Sequence, residues 1–447
     1  MRQLICTTVF LLLLIFLNTI SFAGQTMTLE QCLEVGVKNN PSLNAARIML
    51  DGADYDIKTA RADFLPSVSS GYSATVLTSQ SSKGLEEEDY LDQTIRSFNI
   101  KLTQILYAGA RIVNTYKKAK ITKQVQQAEM ALQKLELVYN IETTFYRLMK
   151  ARQDVIMLTE SLNRLAESTR AAQAFFDKEL VPYVDVLQAR VDLAEAKEQM
   201  GIAKNNVNRE KANLFSLMNI PFDPDVLFAE DHYQIEEESY SFDNSLQQAK
   251  LNRPDIKSFM FQRDIAQKEA RISLGKYLPV VTLEAGYFDQ DRDYEEMTSN
   301  FLGPVDRDQR NRYWSTGVSV TWNMFDGGRS WFEREKYKTE IKRLNALINE
   351  AENMIATGIR KALFSLSEAE ERIQGSTKNL TAAKEFYARE EKRLKAGIST
   401  IPALLDAQER LIRAQANKTQ AILDYQLAKS ELELMRGENN PELKNLP

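Results

Sequence analysis

The longest regular pattern along the chain is helical. Between Ala110 and Val181 there is no glycine or proline, and apolar residues recur at intervals of three, four or seven positions. The residues that set this spacing are Leu135, Val138, Phe145, Leu148, Val155, Leu158, Leu162 and Leu165. The spacing is close to the 3.5-residue repeat of a coiled-coil seam. It predicts a helix of about 68 residues, on the order of 100 Å long at about 1.5 Å per residue.

Upstream of this helix the pattern becomes alternating. Apolar Phe98, Ile100 and Leu102 are interleaved with polar residues, and two such arms of about 13 residues flank a polar loop that contains Glu86–Asp89. A period of two on both sides of a polar loop indicates a β-hairpin. We place this hairpin at about residues 66–106.

Shorter helices flank these two elements. Thr28–Gln31 forms a predicted capping box that opens a helix, and Pro41 interrupts that helix. A second helix is predicted from about Ser42 to Asp63. After the long helix, Pro182 breaks the pattern, and another helix is predicted from about Val184 to Leu217.

The same order of elements occurs twice. Matching segments lie 213 to 218 positions apart and stay in order over about 150 residues. The sequence therefore predicts one repeat of roughly 200 residues that is used twice. The matched pairs are Asn39–Pro41 with Asn252–Pro254, Leu65–Pro66 with Leu278–Pro279, Gly71–Tyr72 with Gly286–Tyr287, Tyr107–Arg111 with Phe325–Arg329, and Leu187–Ala189 with Leu405–Ala407.

In the second copy the hairpin is placed at about 279–325, with strands from about Pro279 to Gln290 and from Tyr313 to Phe325. Gly358 and Gly375 predict a weaker long helix than in the first copy. The expected divisions are a signal peptide at 1–23, the first repeat at 24–225, a linker at 226–240, the second repeat at 241–437 and a tail at 438–447.

Helix lengths predict how each repeat is arranged. The helix before the hairpin (about 22 residues) and the last helix (about 35) together nearly match the long one. Each repeat can therefore be a long coiled-coil helix beside two stacked shorter helices, with the β-hairpin at one end and a tip turn at the other. The predicted fold class is α+β and mostly α.

The N-terminus resembles a secretory signal. Arg2 precedes the apolar run Val9–Leu17, and Ser21–Ala23 has the small residues of a cleavage site, although a retained anchor is the alternative. Cleavage would remove Cys6 and leave Cys32 alone, so no internal disulfide is expected.

Charge and hydropathy exclude other classes. The net charge of −5 argues against nucleic acid as a partner. The mature chain has no apolar run of about 18 residues, so no transmembrane helix is expected.

The strands favour a membrane. In the last strand, Trp314, Val318, Val320 and Trp322 face one way together with Thr316. Aromatic residues, including Tyr72 and Tyr287, stand near the predicted strand ends as in interfacial girdles. An ordinary half-buried sheet is the alternative for any one strand. Four such strands, a signal peptide and no helical span favour a membrane instead.

Four strands per chain are too few to close a barrel, since single-chain barrels use about eight or more. A bilayer tolerates no unpaired backbone edge. The barrel must then be shared, and two, three or four copies would give 8, 12 or 16 strands.

Several segments resemble the TolC-type outer-membrane efflux family, and their order and duplication make the resemblance specific. It covers nearly the whole mature chain. The segments are Thr28–Leu33, Asn39–Leu43, Phe64–Val68, Phe325–Arg329 and Leu404–Gln408.

The resemblance implies a homotrimer in the outer membrane of a Gram-negative bacterium. Twelve strands would form one barrel in outer-membrane lipid, standing on a periplasmic α-barrel. An inner-membrane transporter and a periplasmic adaptor (membrane fusion protein) would dock at the helical tip. The implied function is a passive exit duct for an efflux pump or a type I secretion system.

The resemblance also directs attention to the tip turns. The family carries two aspartates three residues apart at the closed entrance. Asp406 matches the second, Ala403 stands at the first, and the first repeat offers Asp185 with Gln188. Each aspartate can instead be a solvated acid at a helix N-terminus. The expected tip and gate residues are Pro182, Asp185, Gly397, Ser399 and Asp406.

No catalytic or cofactor chemistry is expected. The mature chain has one histidine, His232, placed in the linker, and no phosphate-binding loop. Gly109, Gly327 and Gly328 are predicted to serve the strand-to-helix turns, because glycine accepts positive φ. The chain is therefore expected not to be an enzyme.

A periplasmic coiled-coil scaffold or adaptor is the alternative function. It accounts for the long helices and the signal peptide but leaves the amphipathic hairpins with Trp314 and Trp322 unexplained.

Overall fold

A computed structural model of the chain describes residues 26–82, 88–229, 240–294, 309–396, 398–399 and 401–438. The signal peptide, His232, Gly397 and most of the tail lie outside these ranges. The first repeat consists of β1 (Thr26–Met27), α1 (Leu29–Asn39), α2 (Pro41–Ala62), β2 (Ser67–Ser82), β3 (Glu88–Ala108), α3 (Arg111–Phe176), α4 (Tyr183–Met218) and β4 (Leu227–Phe228). The second consists of α5 (Phe242–Asn252), α6 (Pro254–Gly275), β5 (Val280–Tyr294), β6 (Gln309–Thr321), α7 (Arg329–Lys395) and α8 (Ile401–Arg436).

The two repeats match helix by helix, as predicted. Helices α1 and α5 have 11 residues each, α2 and α6 have 22, and α4 and α8 have 36. The long helices α3 and α7 have 66 and 67 residues. The glycines of α7 do not interrupt it. Gly358 lies against the side chain of Met435, where a Cβ would collide with the sulfur atom.

The first helices begin as the sequence predicts. Thr28 is the N-cap of α1, and its side chain accepts from the Gln31 backbone N–H while the Gln31 side chain accepts from the Thr28 N–H. Asn40 then separates α1 from α2, and its Oδ1 accepts from the backbone N–H groups of Ser42 and Leu43. Because Pro41 has no N–H to satisfy, it fits the first position of α2.

The described chain divides into two compact units, each considered by itself. The first contains residues 26–47, 129–229, 240–256 and 351–438. Its main hydrophobic cluster packs α1 against parts of α3 and α4, and fully buried members include Leu33, Ile141, Phe145, Leu148, Leu214 and Met218. Of the predicted seam of α3, Leu135, Val138, Phe145 and Leu148 are buried, whereas Val155 to Leu165 are half-buried.

The start of the predicted linker belongs to this core, which sequence analysis missed. Strand β4 pairs in parallel with β1, so that Phe228 stands opposite Met27. The Phe228 ring lies edge-on to Phe145 at 6.2 Å and to Phe215 at 6.1 Å. Two-residue strands leave no alternating pattern, so the pairing could not be recognised from sequence.

The second unit contains residues 48–82, 88–128, 257–294 and 309–350. Its strands form one antiparallel sheet in the order β2-β3-β5-β6, so both predicted hairpins are present and β3 pairs with β5 to join them. The register shifts by one residue between Ile105 and Tyr107. No helix among the described residues has the length and apolar character of a membrane span.

The strand ends differ from the predicted ones. Strand β6 begins at Gln309 and stops at Thr321, whereas Tyr313–Phe325 was expected, and β5 continues to Tyr294. The sheet extends into the polar sequence because charged side chains pair across the strands there.

Each hairpin passes into its long helix through a turn with two residues at positive φ. Gly109 and Ala110 have φ of 61° and 60°, and their counterparts Gly327 and Gly328 have 71° and 84°. Asp326 closes the second turn by accepting from the N–H groups of Gly328 (3.1 Å) and Ser330 (3.0 Å). The hydrogen bond from the Ser330 hydroxyl is the main cause that lowers the pKa of Asp326.

The helix ends of α4 and α8 also pair a non-glycine residue in the first repeat with a glycine in the second. Asn219 has φ of 51°, and Gly437, 218 positions later, has 69°. In both turns the next residue's N–H bonds to a carbonyl five residues back, which is the Schellman arrangement (Ile220 to Phe215, Glu438 to Glu433). The first repeat thus uses Asn where the second uses Gly.

Two carboxyl groups approach each other inside the first unit. Glu142 of α3 is buried, and Glu433 of α8 is mostly buried. Burial raises the pKa of Glu433 to about 7, and the charge of Glu142 adds to the effect, as does that of Glu438, while Lys429 and Arg436 oppose it.

We expect Glu433→Gln to stabilise the protein at pH 8 but not near pH 4. The folded-state pKa of Glu433 lies above 4.5, its value in the unfolded chain. The contribution of protonated Glu433 to stability is therefore complete below pH 4.5 and is lost as the pH rises through about 7. The substitution should therefore stabilise the folded protein at pH 8 by roughly 3.5 kcal/mol at most, at about 1.4 kcal/mol per unit of pKa shift. Thermal unfolding followed by circular dichroism at both pH values measures it. The exposed Glu370→Gln is the control, and an equal gain at pH 4 would contradict the assignment.

The two turn glycines should respond differently to alanine. In both, a Cβ at positive φ costs about 1–2 kcal/mol. At Gly109 the Cβ would also overlap the carbonyl oxygen of Gly275 and lie 2.9 Å from the Leu278 Cβ, whereas at Gly327 it meets nothing within 4 Å. We expect Gly109→Ala to lower the unfolding midpoint clearly more than Gly327→Ala. Equal shifts in denaturant titrations would show that the close approach to Gly275 is unimportant.

Candidate functional site

One face of the sheet is apolar over most of its width. The register places Leu102 opposite Ala285 and Tyr287 opposite Trp314, and cross-strand partners share a face. All 13 residues of β6 are exposed, and the Trp314 side chain is 81% exposed. Other large exposed residues on this face are Val68, Tyr72, Val76, Phe98, Ile100, Val318 and Val320.

Charged residues replace the apolar ones further along the same face. Asp289 accepts from Arg310 (2.8 Å) and Arg312 (3.2 Å), and Arg96 pairs with Asp293. Along the strands, this face of the sheet thus changes from apolar to charged side chains.

Tyr72, Tyr287 and Trp314 stand at this change, inside their strands rather than at the predicted strand ends. Tyr287 and Trp314 contact each other, with ring centroids 5.2 Å apart, and both lie inside their strands, as does Tyr72. Trp322 lies just beyond β6, and its indole N–H donates to the Tyr277 carbonyl at 2.9 Å. It is therefore anchored next to the strand instead of continuing it.

The opposite face of the sheet carries mostly polar and small residues. Lys101 and Glu284 lie 4.0 Å apart there, and the stacked rings of Phe288 and Tyr313, 5.1 Å apart, are an aromatic exception. A sheet with one apolar and one polar face, both without a covering layer within this unit, is typical of a wall between lipid and water.

The tip of the first repeat is the turn between α3 and α4, and α3 ends there in a Schellman motif. Glu179 has φ of 58°, and the Leu180 N–H donates to Phe175 O at 2.9 Å. Pro182 is the N-cap of α4, and Asp185 is exposed in its first turn, where the helix macrodipole favours an acid.

The tip of the second repeat has the same hydrogen bond 218 positions later, from the Ile398 N–H to Arg393 O at 3.0 Å. Gly397, the counterpart of Glu179, lies outside the described residues. The Ser399 hydroxyl donates to Glu390, a buried carboxylate that also accepts from Arg393. Ser399 therefore ties the turn back onto α7.

Asp406 is placed differently from Asp185. It is the sixth residue of α8, whose first turn holds no acid, so the interpretation as a helix-terminal acid does not apply. Its carboxylate is 61% exposed and lies 3.7 Å from Arg164 of α3. Arg164 also pairs with Glu409, which pairs with Arg413 at 2.6 Å.

An open cleft of about 700 Å³ in the first unit is lined by Arg164, Asp406, Glu409 and Arg413. Asn379 and Phe386 of α7 also line it, and Arg410 lies over the Phe386 ring at 5.8 Å. Sequence analysis missed Arg164, Glu390 and Glu409, because spacing along one helix does not reveal partners on another. Among the described residues, no cluster of three or more His, Cys, Asp or Glu side chains could hold a metal ion.

Comparison with known proteins agrees with this architecture. A family model described as outer membrane efflux protein matches residues 36–219 and 245–438, once per repeat. The outer membrane efflux protein BepC of Brucella suis is 21% identical over 407 residues, which cover 91% of this chain and 84% of that protein. The outer membrane protein TolC of Vibrio cholerae is 18% identical over 418 residues, covering 93% and 92%.

The fold is also found among solved structures. The CmeC outer membrane channel of Campylobacter jejuni superposes with a TM-score of 0.71, covering 94% of this chain and 88% of that one, at 17% sequence identity. The resemblance to the TolC-type family is thereby confirmed, and the mostly helical α+β fold with it. Since the family model covers most of both repeats, this chain belongs to the outer membrane efflux protein family.

Proposed function

We propose that three copies of this chain assemble into one passive exit duct of the outer membrane, to which each copy contributes its four strands. The chain is an outer-membrane efflux channel protein of a Gram-negative bacterium, with a long periplasmic part. The family consists of channel proteins rather than enzymes. The copy number, the shared barrel and the passive mechanism are the proposed parts.

The observation that supports a shared barrel is the pair of open edges. Within the part of the chain that the structure describes, strands β2 and β6 each pair on one side only. Within hydrocarbon, an unsatisfied backbone group costs several kcal/mol, so an open edge cannot persist there. Three copies supply twelve strands, which is an even number within the range of bacterial barrels.

A passive duct needs its energy from elsewhere. The chain has no phosphate-binding loop of the G-x-x-x-x-G-K-[ST] type. Family members work with periplasmic adaptors and inner-membrane transporters. We assign the docking of an adaptor to the two tips, Lys178–Asp185 and Lys395–Asp406. Exposed apolar side chains there, among them Leu180, Val184 and Ile398, support this assignment.

A periplasmic scaffold or adaptor is disfavoured by the sheet. Its exposed apolar face, with Trp314 and Val318 open to the surroundings, would be a liability in an aqueous compartment.

The proposal is tested by expressing the full chain and locating it in membrane fractions, then counting copies by native mass spectrometry in detergent. We expect an outer-membrane trimer that conducts ions across a planar bilayer. A monomer that conducts, or a protein found only in the soluble periplasm, would refute it.

We expect Asp406→Ala to weaken the preference of the channel for cations, because rings of carboxylates at a pore favour cations. The nearby Arg164 offsets only part of the charge of Asp406, which is largely exposed. Single-channel reversal potentials under a salt gradient measure the change, with Asp406→Asn as a same-sized variant and Glu198→Gln on the surface of α4 as the control. Unchanged selectivity in both Asp406 variants would remove the residue from the gate.

A further inference from the structure

The stacked rings of Phe288 and Tyr313 lie on the face of the sheet that otherwise carries polar and small residues. Their planes differ by 14°, and their centroids are 5.1 Å apart. Tyr313 is 52% exposed, so the pair presents aromatic surface on the polar side of the sheet. Cross-strand stacking stabilises a sheet by itself. A binding role therefore needs a second feature beside the rings.

That feature is an open pocket of about 140 Å³ next to Phe288. Gly286 stands opposite Ser315 in the register, and Glu284 stands opposite Gly317, so backbone and small side chains form the floor. A cavity of about 150 Å³ accommodates one benzene ring. We call this feature the sheet pocket, and its argued residues are Lys101, Glu284, Gly286, Phe288, Ser315 and Gly317.

The two glycines of the sheet pocket have different surroundings. A Cβ on Gly286 would lie 3.0 Å from Cε2 of Phe288, so the Phe288 ring leans back over residue 286. The same Cβ would lie 3.0 Å from the Ile100 carbonyl oxygen. A Cβ on Gly317 would meet nothing within 4 Å. The ring therefore forms one wall, and the space above Gly317 is open.

An ion pair closes the side of the sheet pocket towards β3. Lys101 Nζ and Glu284 Oε2 lie 4.0 Å apart, and the two side chains are 43% and 45% exposed. An exposed pair at this separation contributes little to stability. Its groups are therefore available to a charged ligand at small cost. Because Glu284 stands opposite Gly317, its carboxylate borders the open space.

We propose that the sheet pocket binds planar aromatic cations inside the barrel. The aromatic ring of the ligand stacks on Phe288 above Gly317, and its ammonium group pairs with Glu284. The Phe288 ring adds attraction, because an aromatic face attracts a cation. The inference rests on the proposed channel, since closure of the barrel is what turns the polar face towards a water-filled lumen.

The strand that a second copy would place beside β6 leaves the sheet pocket open. Gly71 of β2 stands opposite Asn99, which stands opposite Phe288, so Gly71 shares the face of the pocket. Ser69 and Ser73, two positions to either side, lie on this face as well. Their side chains are small. The pocket therefore remains accessible from the lumen in a shared barrel.

The binding test uses saturation-transfer NMR on the full-length channel in detergent. The ligands are benzylammonium and cyclohexylmethylammonium, which carry the same charge on an aromatic and a saturated ring. We expect benzylammonium to bind more tightly. Phe288→Leu should weaken its binding roughly two- to tenfold, and Glu284→Gln roughly two- to fivefold.

Filling the sheet pocket separates binding from sheet stability. Gly317→Val adds a side chain where the space is open and suits a strand, so it should remove the preference for benzylammonium while the channel still assembles. Ser97→Val is the control, because Ser97 lies on the same face and outside the pocket. Equal binding of the two cations to the native channel, or an unchanged preference in Gly317→Val, would overturn the proposal.

Thiol labelling tests which side the face looks to. A water-borne ammonium-bearing thiol reagent should change the conductance of Gly317→Cys but not of Thr316→Cys, which lies on the apolar face. The unsubstituted protein, treated in the same way, corrects for other thiols. A trimer that passes this test but shows no aromatic preference loses the pocket and keeps the channel. If labelling Gly317→Cys leaves the conductance unchanged, or the protein is monomeric, the proposed function itself fails.

Discussion

Unpaired backbone N–H and C=O groups along β2 and β6 are the constraint on which the rest of the protein depends. An exposed strand edge invites pairing with another chain, and in hydrocarbon it must be paired. The sheet of this chain joins its two hairpins through β3 and β5 but leaves the outer edges open. A sheet with an apolar face, a polar face and two free edges is what the proposed shared barrel requires of each copy.

The two repeats contain the same elements but have different surroundings within the chain. Equivalent positions therefore differ in burial: Tyr146 is 6% exposed, whereas Phe364 is 73% exposed. Helix α3 contacts α8 through ion pairs such as Lys150–Asp424, whereas the repeat counterpart of Asp424 on α4 is the uncharged Asn206. Polar contacts across helices fix the register more than they add stability, because desolvation offsets much of their Coulomb energy.

Backbone conformation is repeated more faithfully than residue type. Ala110 and Asn219 adopt positive φ where the second repeat has Gly328 and Gly437. Glu179 does so 218 positions before Gly397. The turns are therefore imposed by the packing of the helices and strands they connect, and the non-glycine residues accept the strain that such packing requires. A search for glycine alone finds the second set of turns and overlooks part of the first.

The sequence by itself determined the elements whose signal is local and repeated. Periodicity gave the long helices and hairpins, the capping box gave the start of α1, and the duplicated motifs gave the family. Only the tertiary structure decided what depends on contacts between distant segments. These include the β1–β4 pair, the strand extension through Asp289, Arg310 and Arg312, and the contacts of Arg164 with Asp406 and Glu409. A side chain's partner across a helix interface lies hundreds of residues away, and no period along the chain encodes it.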